Sequence, residues 1–246
     1  MPATIPPLAP LAALRFDVVH RTITALAPRT VLEIGCGQGG FGARLATVAR
    51  YVGVEPDAQS YAVARERIEP RNGSVISGDH LAVPAGSRYD VVCAFEVLEH
   101  LEHDEAALAD WIKLVRPGGQ IVLSVPAGPE RFGPWDVKVG HFRRYSAEDM
   151  RKLLVHAGFE QPRVTLYGWP LGYALEFARD KIASRQAKRT QDQSVAERTA
   201  SSGRQLQPTT RLMAYTIRAG TLPFRYVQRI QPKRGIALVA VATRPR

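Results

Sequence analysis

Two cysteines among 246 residues, Cys36 and Cys93, leave little from which to build a cross-link. Both fall in apolar runs that read as core strands. A structural disulfide is therefore not expected, and a reducing compartment is. No stretch of 18 apolar residues exists, so no helix is expected to span a membrane. Met1 to Pro10 is rich in proline and lacks a basic start. It does not read as a secretory leader, and a cytoplasmic protein is expected. No internal repeat is found in the sequence. Acid is scarce in one region only. Between Lys181 and Arg234, 12 lysines and arginines face only Asp192 and Glu197, and this segment accounts for the whole net charge of +10. Hydrophobic residues make up 45% of the chain, enough for one α/β domain with an insertion.

The chain is organised around Val31-Leu-Glu-Ile-Gly-Cys-Gly-Gln-Gly-Gly-Phe-Gly42. Val31 to Ile34 read as a buried strand. Gly35, Gly37 and Gly39 follow at alternate positions, and Phe41 to Ala49 carry apolar residues at helical spacing. Strand, glycine turn and helix open a nucleotide-binding α/β unit. Glycine is needed where the turn is tight and a ligand approaches the backbone. Glu33, just before the first glycine, is unsuited to a pyrophosphate beside a helix N-terminus. It suits a ligand with a positively charged, amino-acid-like end.

This E-x-G-x-G-x-G pattern resembles the first motif of the class I S-adenosylmethionine-dependent methyltransferases. The resemblance continues in order across residues 31 to 160. Tyr51 to Asp57 resembles the second strand, and Ser77-Gly-Asp-His80 the end of the third. Tyr89 to His100 resembles the fourth strand and its loop, and Leu114 to Pro126 the turn and fifth strand. It implies a Rossmann-like, mostly parallel sheet of seven strands, helices on both faces and an antiparallel last strand. S-adenosylmethionine is the implied cofactor. Glu33 would meet its amino-acid end, and Gly35, Cys36, Gly37 and Gly39 would line it. Glu55 would accept the ribose hydroxyls, Asp79 would meet the adenine amino group, and His80 would lie beside the ring. Phe95 and Glu96 would border the methionine portion.

Leu11 to Leu26 has the spacing of an amphipathic helix that packs on the sheet or covers the cofactor site. Ala58 to Ile68 is a second helix with Asp57 as N-cap. Asp104 to Val115 is a helix broken by Arg116-Pro-Gly-Gly119. Residues 126 to 145 form a loop long enough to be functional. Ser146 starts a helix that runs to His156, and a sixth strand spans Phe159 to Tyr167. The seventh strand, Ile236 to Ala242, arrives only after an insertion. The methyltransferase domain is thus expected at 1–167 and 236–246. A basic, partly helical lid is expected at 168–235, with a mobile centre near residues 184 to 210.

Methyl transfer from a sulfonium is an in-line displacement, so few catalytic groups are needed. His141 is the candidate base, because imidazole titrates near neutral pH, and His100 is a second candidate. Trp135, Arg143, Arg144 and Tyr145 are expected to line the acceptor, the arginines holding a carboxylate or phosphate. The competing reading is structural: His141 and the arginines would tie the loop to Glu99 or Glu102. Glu96-Val-Leu-Glu-His100 also resembles the metal-binding motif of small-RNA 2′-O-methyltransferases and of some ubiquinone-pathway O-methyltransferases. The expectation adopted is no metal, with Glu99 and His100 bracing the loop after strand four.

The expected function is methyl transfer to a small-molecule acceptor, apolar or phosphorylated, with O-methylation preferred. Two alternatives stand beside it. One is an RNA 2′-O-methyltransferase, metal-assisted through Glu96, Glu99 and His100, for which the basic insertion argues. The other is a non-catalytic protein that binds S-adenosylmethionine. The insertion interleaves aliphatic residues with arginine, which fits an apolar pocket or peripheral membrane contact better than a phosphate track.

Overall fold

The apolar runs become seven strands of a single sheet, in a computed structural model that describes residues 5, 7–186 and 211–246. They are β1 (Thr30–Ile34), β2 (Arg50–Glu55), β3 (Gly73–Ser77), β4 (Tyr89–Phe95), β5 (Val115–Pro126), β6 (Glu160–Gly168) and β7 (Gly235–Thr243). Their order across the sheet is β3-β2-β1-β4-β5-β7-β6. The first five pair in parallel, and β7 runs antiparallel to both its neighbours. The order reverses between β1 and β4, the place where such sheets open a ligand crevice at their carboxyl ends. β4 is nearly all apolar because both of its faces are covered.

Eight helices are described: α1 (Pro10–Leu26), α2 (Gly42–Leu45), α3 (Ala58–Ile68), α4 (Asp104–Leu114), α5 (Pro134–Val139), α6 (Ala147–His156), α7 (Leu171–Gln186) and α8 (Arg211–Ile230). On one face of the sheet, Leu14, Val19 and Ile23 of α1 pack with Leu45, Tyr51 and Ile68. On the other, Leu108 and Trp111 of α4 pack with Met150, Leu154 and Phe159. Start signals read from the sequence operate as hydrogen bonds. The Ser60 N–H donates to Asp57 Oδ2 at 2.9 Å, and the Asp149 N–H to Ser146 Oγ at 3.0 Å.

Two elements differ from expectation, and the helical insertion agrees with it. The helix after the glycine turn is a single turn, because β2 already starts at Arg50. There the Thr47 hydroxyl bonds back to the Arg44 carbonyl at 2.7 Å. The 126–145 loop folds a helix of its own, α5, started by Pro134 at its first position. The insertion between β6 and β7 contributes α7, which packs on α5, and α8, which packs on α1. Residues 187–210, most of the segment expected to be a mobile centre, lie outside the described residues.

Candidate active site

The glycine turn follows β1 at the crevice. Gly35, Gly37 and Gly39 have φ of +70°, +53° and +73°, a region open to glycine and costly for other residues. Their roles separate once a Cβ is imagined on each. At Gly35 it would lie 2.7 Å from a Val97 methyl, and at Gly39 2.8 Å from Ile68 Cδ1 and 3.1 Å from Ala64 Cα. Those two are demanded by packing. At Gly37 a Cβ meets nothing within 4 Å among the described residues. Gly37 is the position where backbone faces open space, as a cofactor cradle requires. Cys36 is turned away, buried against Gly53.

Glu55 braces this turn. Its Oε2 accepts the Gly37 N–H at 2.7 Å and its Oε1 the Asp57 N–H at 3.0 Å. Burial pushes its pKa up, against those two bonds. Each oxygen keeps a lone pair, so the ribose expectation remains compatible with the geometry. Asp79 is exposed and caps the short turn His80–Ala82 through the Leu81 N–H at 2.8 Å. His80 packs edge-on to Trp111 of α4, with Nε2 3.6 Å from Asp110. Glu33 is buried and accepts the Tyr51 hydroxyl at 2.7 Å. Burial pushes its pKa up to about 8, so near neutral pH it is largely a neutral acid inside the sheet.

Glu96, just past β4, has φ of +58°. A non-glycine residue held there is a recurrent mark of functional sites. Its Oε1 accepts the Ser124 hydroxyl at 3.1 Å and lies 3.0 Å from Arg15 Nη1. Arg15 comes from α1 and was not singled out in the sequence. It lies over the Phe41 ring, which itself packs against Phe95 and Phe16. A lone arginine inside the apolar run Leu11 to Val19 is the only signal that could have found it.

The loop after β5 meets the loop after β4. His141 Nδ1 is 2.7 Å from Asp136 Oδ1, and its Nε2 is 3.9 Å from Glu99 Oε1. The His100 ring stands edge-on to it, 4.7 Å between centroids. His100 Nδ1 is 3.3 Å from the Gly140 carbonyl. Burial, then the neighbouring His141, lowers the His100 pKa to about 4, so it stays neutral. Asp136 is fully buried. Burial alone would raise its pKa, but hydrogen bonds from His141, Arg144 and Gly133 hold it well below the usual carboxylate range. Glu99 is also fully buried, and among the described residues neither of its oxygens has a hydrogen-bond partner. Burial pushes its pKa up to about 8.

The residues expected to line the acceptor are placed differently. Arg144 has no exposed side-chain surface. Its Nη2 bonds Asp136 at 2.6 Å and its Nη1 bonds Glu176 of α7 at 2.5 Å. Glu176 also accepts Arg131 Nε at 2.9 Å. Arg144 is thus a buried tie between loop and insertion, with no donor turned outward to a substrate. Tyr145 is buried too and donates to Asp104 at 2.9 Å. Trp135 is covered by Lys138 and Arg179. Arg143 alone keeps substantial exposure; it pairs with Asp104 at 3.0 Å and bonds the Glu102 carbonyl at 2.6 Å. The loop is tied down, but through Asp136, Glu176 and Asp104, not through the carboxylates of Glu99 or Glu102 that the structural reading named. Asp136 and Glu176 were missed in the sequence. Glu176 carried a signal, being the lone acid in the apolar run Leu171 to Ala178.

Glu99, His100 and His141 bring one ligand atom each to within 4.8 Å of one another. An imidazole pair and a carboxylate with unsatisfied oxygens suit a divalent ion of the first transition row. Glu96, grouped with them in the sequence, faces Arg15 and Ser124 instead.

Residues 11–161 match a family model described as "Methyltransferase domain". A Mycolicibacterium smegmatis protein named "Probable S-adenosylmethionine-dependent methyltransferase" is 34% identical over 59% of this chain and 58% of its own. A "Ubiquinone biosynthesis O-methyltransferase" of Aromatoleum aromaticum is 32% identical over 48% of this chain and 52% of its own. The chain thus spans little more than half the length of these relatives. Among solved structures, a Haemonchus contortus phosphoethanolamine N-methyltransferase bound to S-adenosylmethionine superposes with a TM-score of 0.58 at 16% identity. That superposition covers 94% of this chain and 53% of the other, and shows a shared fold. Glycine turn, strand order and family match converge, and the chain belongs to the class I S-adenosylmethionine-dependent methyltransferase family.

Proposed function

We propose that the protein methylates a hydroxyl of a small biosynthetic acceptor, using S-adenosylmethionine as donor and His141 as base. The observation that carries this reading is the buried Asp136–His141 pair. Asp136 is held ionised, so it accepts the Nδ1 proton of His141 and leaves Nε2 as the basic nitrogen. The cofactor supplies a methyl group on a sulfonium leaving group. His141 Nε2 would take the proton of the acceptor hydroxyl as that oxygen receives the methyl group, with S-adenosylhomocysteine as the leaving product. The name of the Aromatoleum relative also favours oxygen as acceptor atom. Gly37 and Glu55 would hold the nucleoside, and Glu96 the ammonium of the amino-acid end.

Arg15 would hold the carboxylate of that same end, since it is the cation set beside Glu96 and against Phe41. Arg15→Gln is expected to weaken S-adenosylhomocysteine binding roughly 10- to 100-fold, the range for a lost charged hydrogen bond. Binding of methylthioadenosine, which lacks the amino-acid portion, should not change. Calorimetry with both ligands checks this; equal losses would mean that Arg15 only supports the fold.

The cluster Glu99, His100 and His141 favours a second reading, in which a divalent ion activates the acceptor and His141 is a ligand. Transfer of labelled methyl to a metabolite extract, with and without a chelator, separates the two. Label in a small molecule that survives chelation supports the base mechanism. Loss restored by one divalent ion supports the metal. Label in added RNA instead, or no transfer despite cofactor binding, rejects the small-molecule reading.

A further inference from the structure

The insertion's second helix turns its apolar side outward. On α8, Leu222, Tyr226 and Ile230 recur every four residues, and they are 47%, 58% and 75% exposed. Pro223 is exposed between them. The opposite side is fixed to the domain: Thr221 and Gln228 are buried, and Phe224 packs on the core beside α1. Gln228 bonds the Leu14 carbonyl at 3.1 Å, and Arg229 Nε bonds Asp17 at 3.1 Å. The helix is held rigidly with its greasy stripe facing away, the reverse of an ordinary surface helix.

Charge decides what such a stripe meets. After Glu197 the chain contains no aspartate or glutamate at all. Arg225 and Arg229 flank the stripe, and exposed Lys233 and Arg234 follow it directly. On α7, exposed Phe177 lies against Lys181, and Ile182 is exposed beside them. Two copies of this chain joined stripe to stripe would bring like charges together. An RNA strand would be served by the cations and not by exposed leucine and isoleucine. No described helix is long and apolar enough to cross a membrane. Aliphatic and aromatic side chains rimmed by cations are what an in-plane helix offers to anionic lipid headgroups.

We propose that α8 docks the protein on an anionic phospholipid surface, with Leu222, Tyr226 and Ile230 entering the headgroup region and Lys233 and Arg234 meeting lipid phosphates. α8 rests on α1, the helix that carries Arg15 to the crevice. Docking therefore holds the proposed site next to the lipid phase, where an acceptor with an apolar tail resides.

Flotation of the full chain with vesicles tests this. Vesicles of phosphatidylglycerol and phosphatidylcholine should carry the protein upward at low salt, and pure phosphatidylcholine should not. A triple variant, Leu222→Ser with Tyr226→Ser and Ile230→Ser, should lower partitioning at least about 10-fold. Lys233→Gln with Arg234→Gln should lower it about 25-fold, about five-fold per charge. These residues lie outside the cofactor site, so S-adenosylhomocysteine binding and circular dichroism should match the wild type. Absence of flotation overturns the proposal. So does flotation unchanged in the triple variant, or retention of an RNA oligonucleotide that depends on Lys233 and Arg234 but not on the stripe.

Discussion

His141→Ala is expected to slow methyl transfer by on the order of 10²- to 10⁴-fold while S-adenosylhomocysteine binds as before. The imidazole is held by Asp136 on one side and faces Glu99 on the other. Its loss removes the proton acceptor and leaves the cradle at Gly37 untouched. Asp136→Asn supplies an independent check. An amide at that position can donate to Nδ1, which places the remaining imidazole proton on Nε2 and blocks it as a base. Rate loss of similar size in both variants, with cofactor affinity preserved, is the expected pattern. An unchanged rate in His141→Ala would remove the base assignment outright. A variant that is dead until a divalent ion is added in large excess would assign His141 to metal binding.

The second large effect is on stability. Arg144→Met is expected to cost about 3–5 kcal/mol, the range for breaking a buried ion pair by removing one partner. Methionine fills the volume but leaves Asp136 and Glu176 buried without their shared cation. The pH dependence identifies the cause. In the wild type, the Asp136 pKa is depressed below its ordinary 3.8, so its contribution is present above that pH and lost as pH falls further. Without Arg144 the buried Asp136 carboxyl binds a proton more readily, and the folded variant recovers stability as it neutralises. The difference between variant and wild type should therefore be large at pH 7 and smaller near pH 4. Urea unfolding at the two pH values measures it, and an equal difference at both would reduce the effect to packing.

The sheet was readable because its strands are short apolar runs bounded by glycine, proline and aspartate. β4 spans Tyr89–Phe95 as its composition dictates, and α3 begins after its Asp57 cap. The glycine turn was readable for the same local reason. The arrangement of the 126–145 loop was not, because it rests on pairing between distant residues. Arg144 reads on the page as a substrate-binding arginine. Only the fold shows that Asp136, eight residues away, and Glu176, 32 residues away, both close on it. The cation at Glu96 is supplied by Arg15, some 80 residues earlier in the chain, and no spacing rule connects them. Glu99 and His100 were legible as a motif, but their third partner, His141, comes from another loop.

The position of β7 bears on how the protein is made. It is the last strand in sequence, yet it lies between β5 and β6, with eight of its nine residues buried. When residues up to 168 have left the ribosome, β5 has an open edge and β6 has no neighbour to join. Both wait through the whole basic insertion until residues 235–243 appear. Unpaired, apolar edges of that kind invite association with other chains. During synthesis the insertion is therefore an interval in which the nascent sheet stays incomplete.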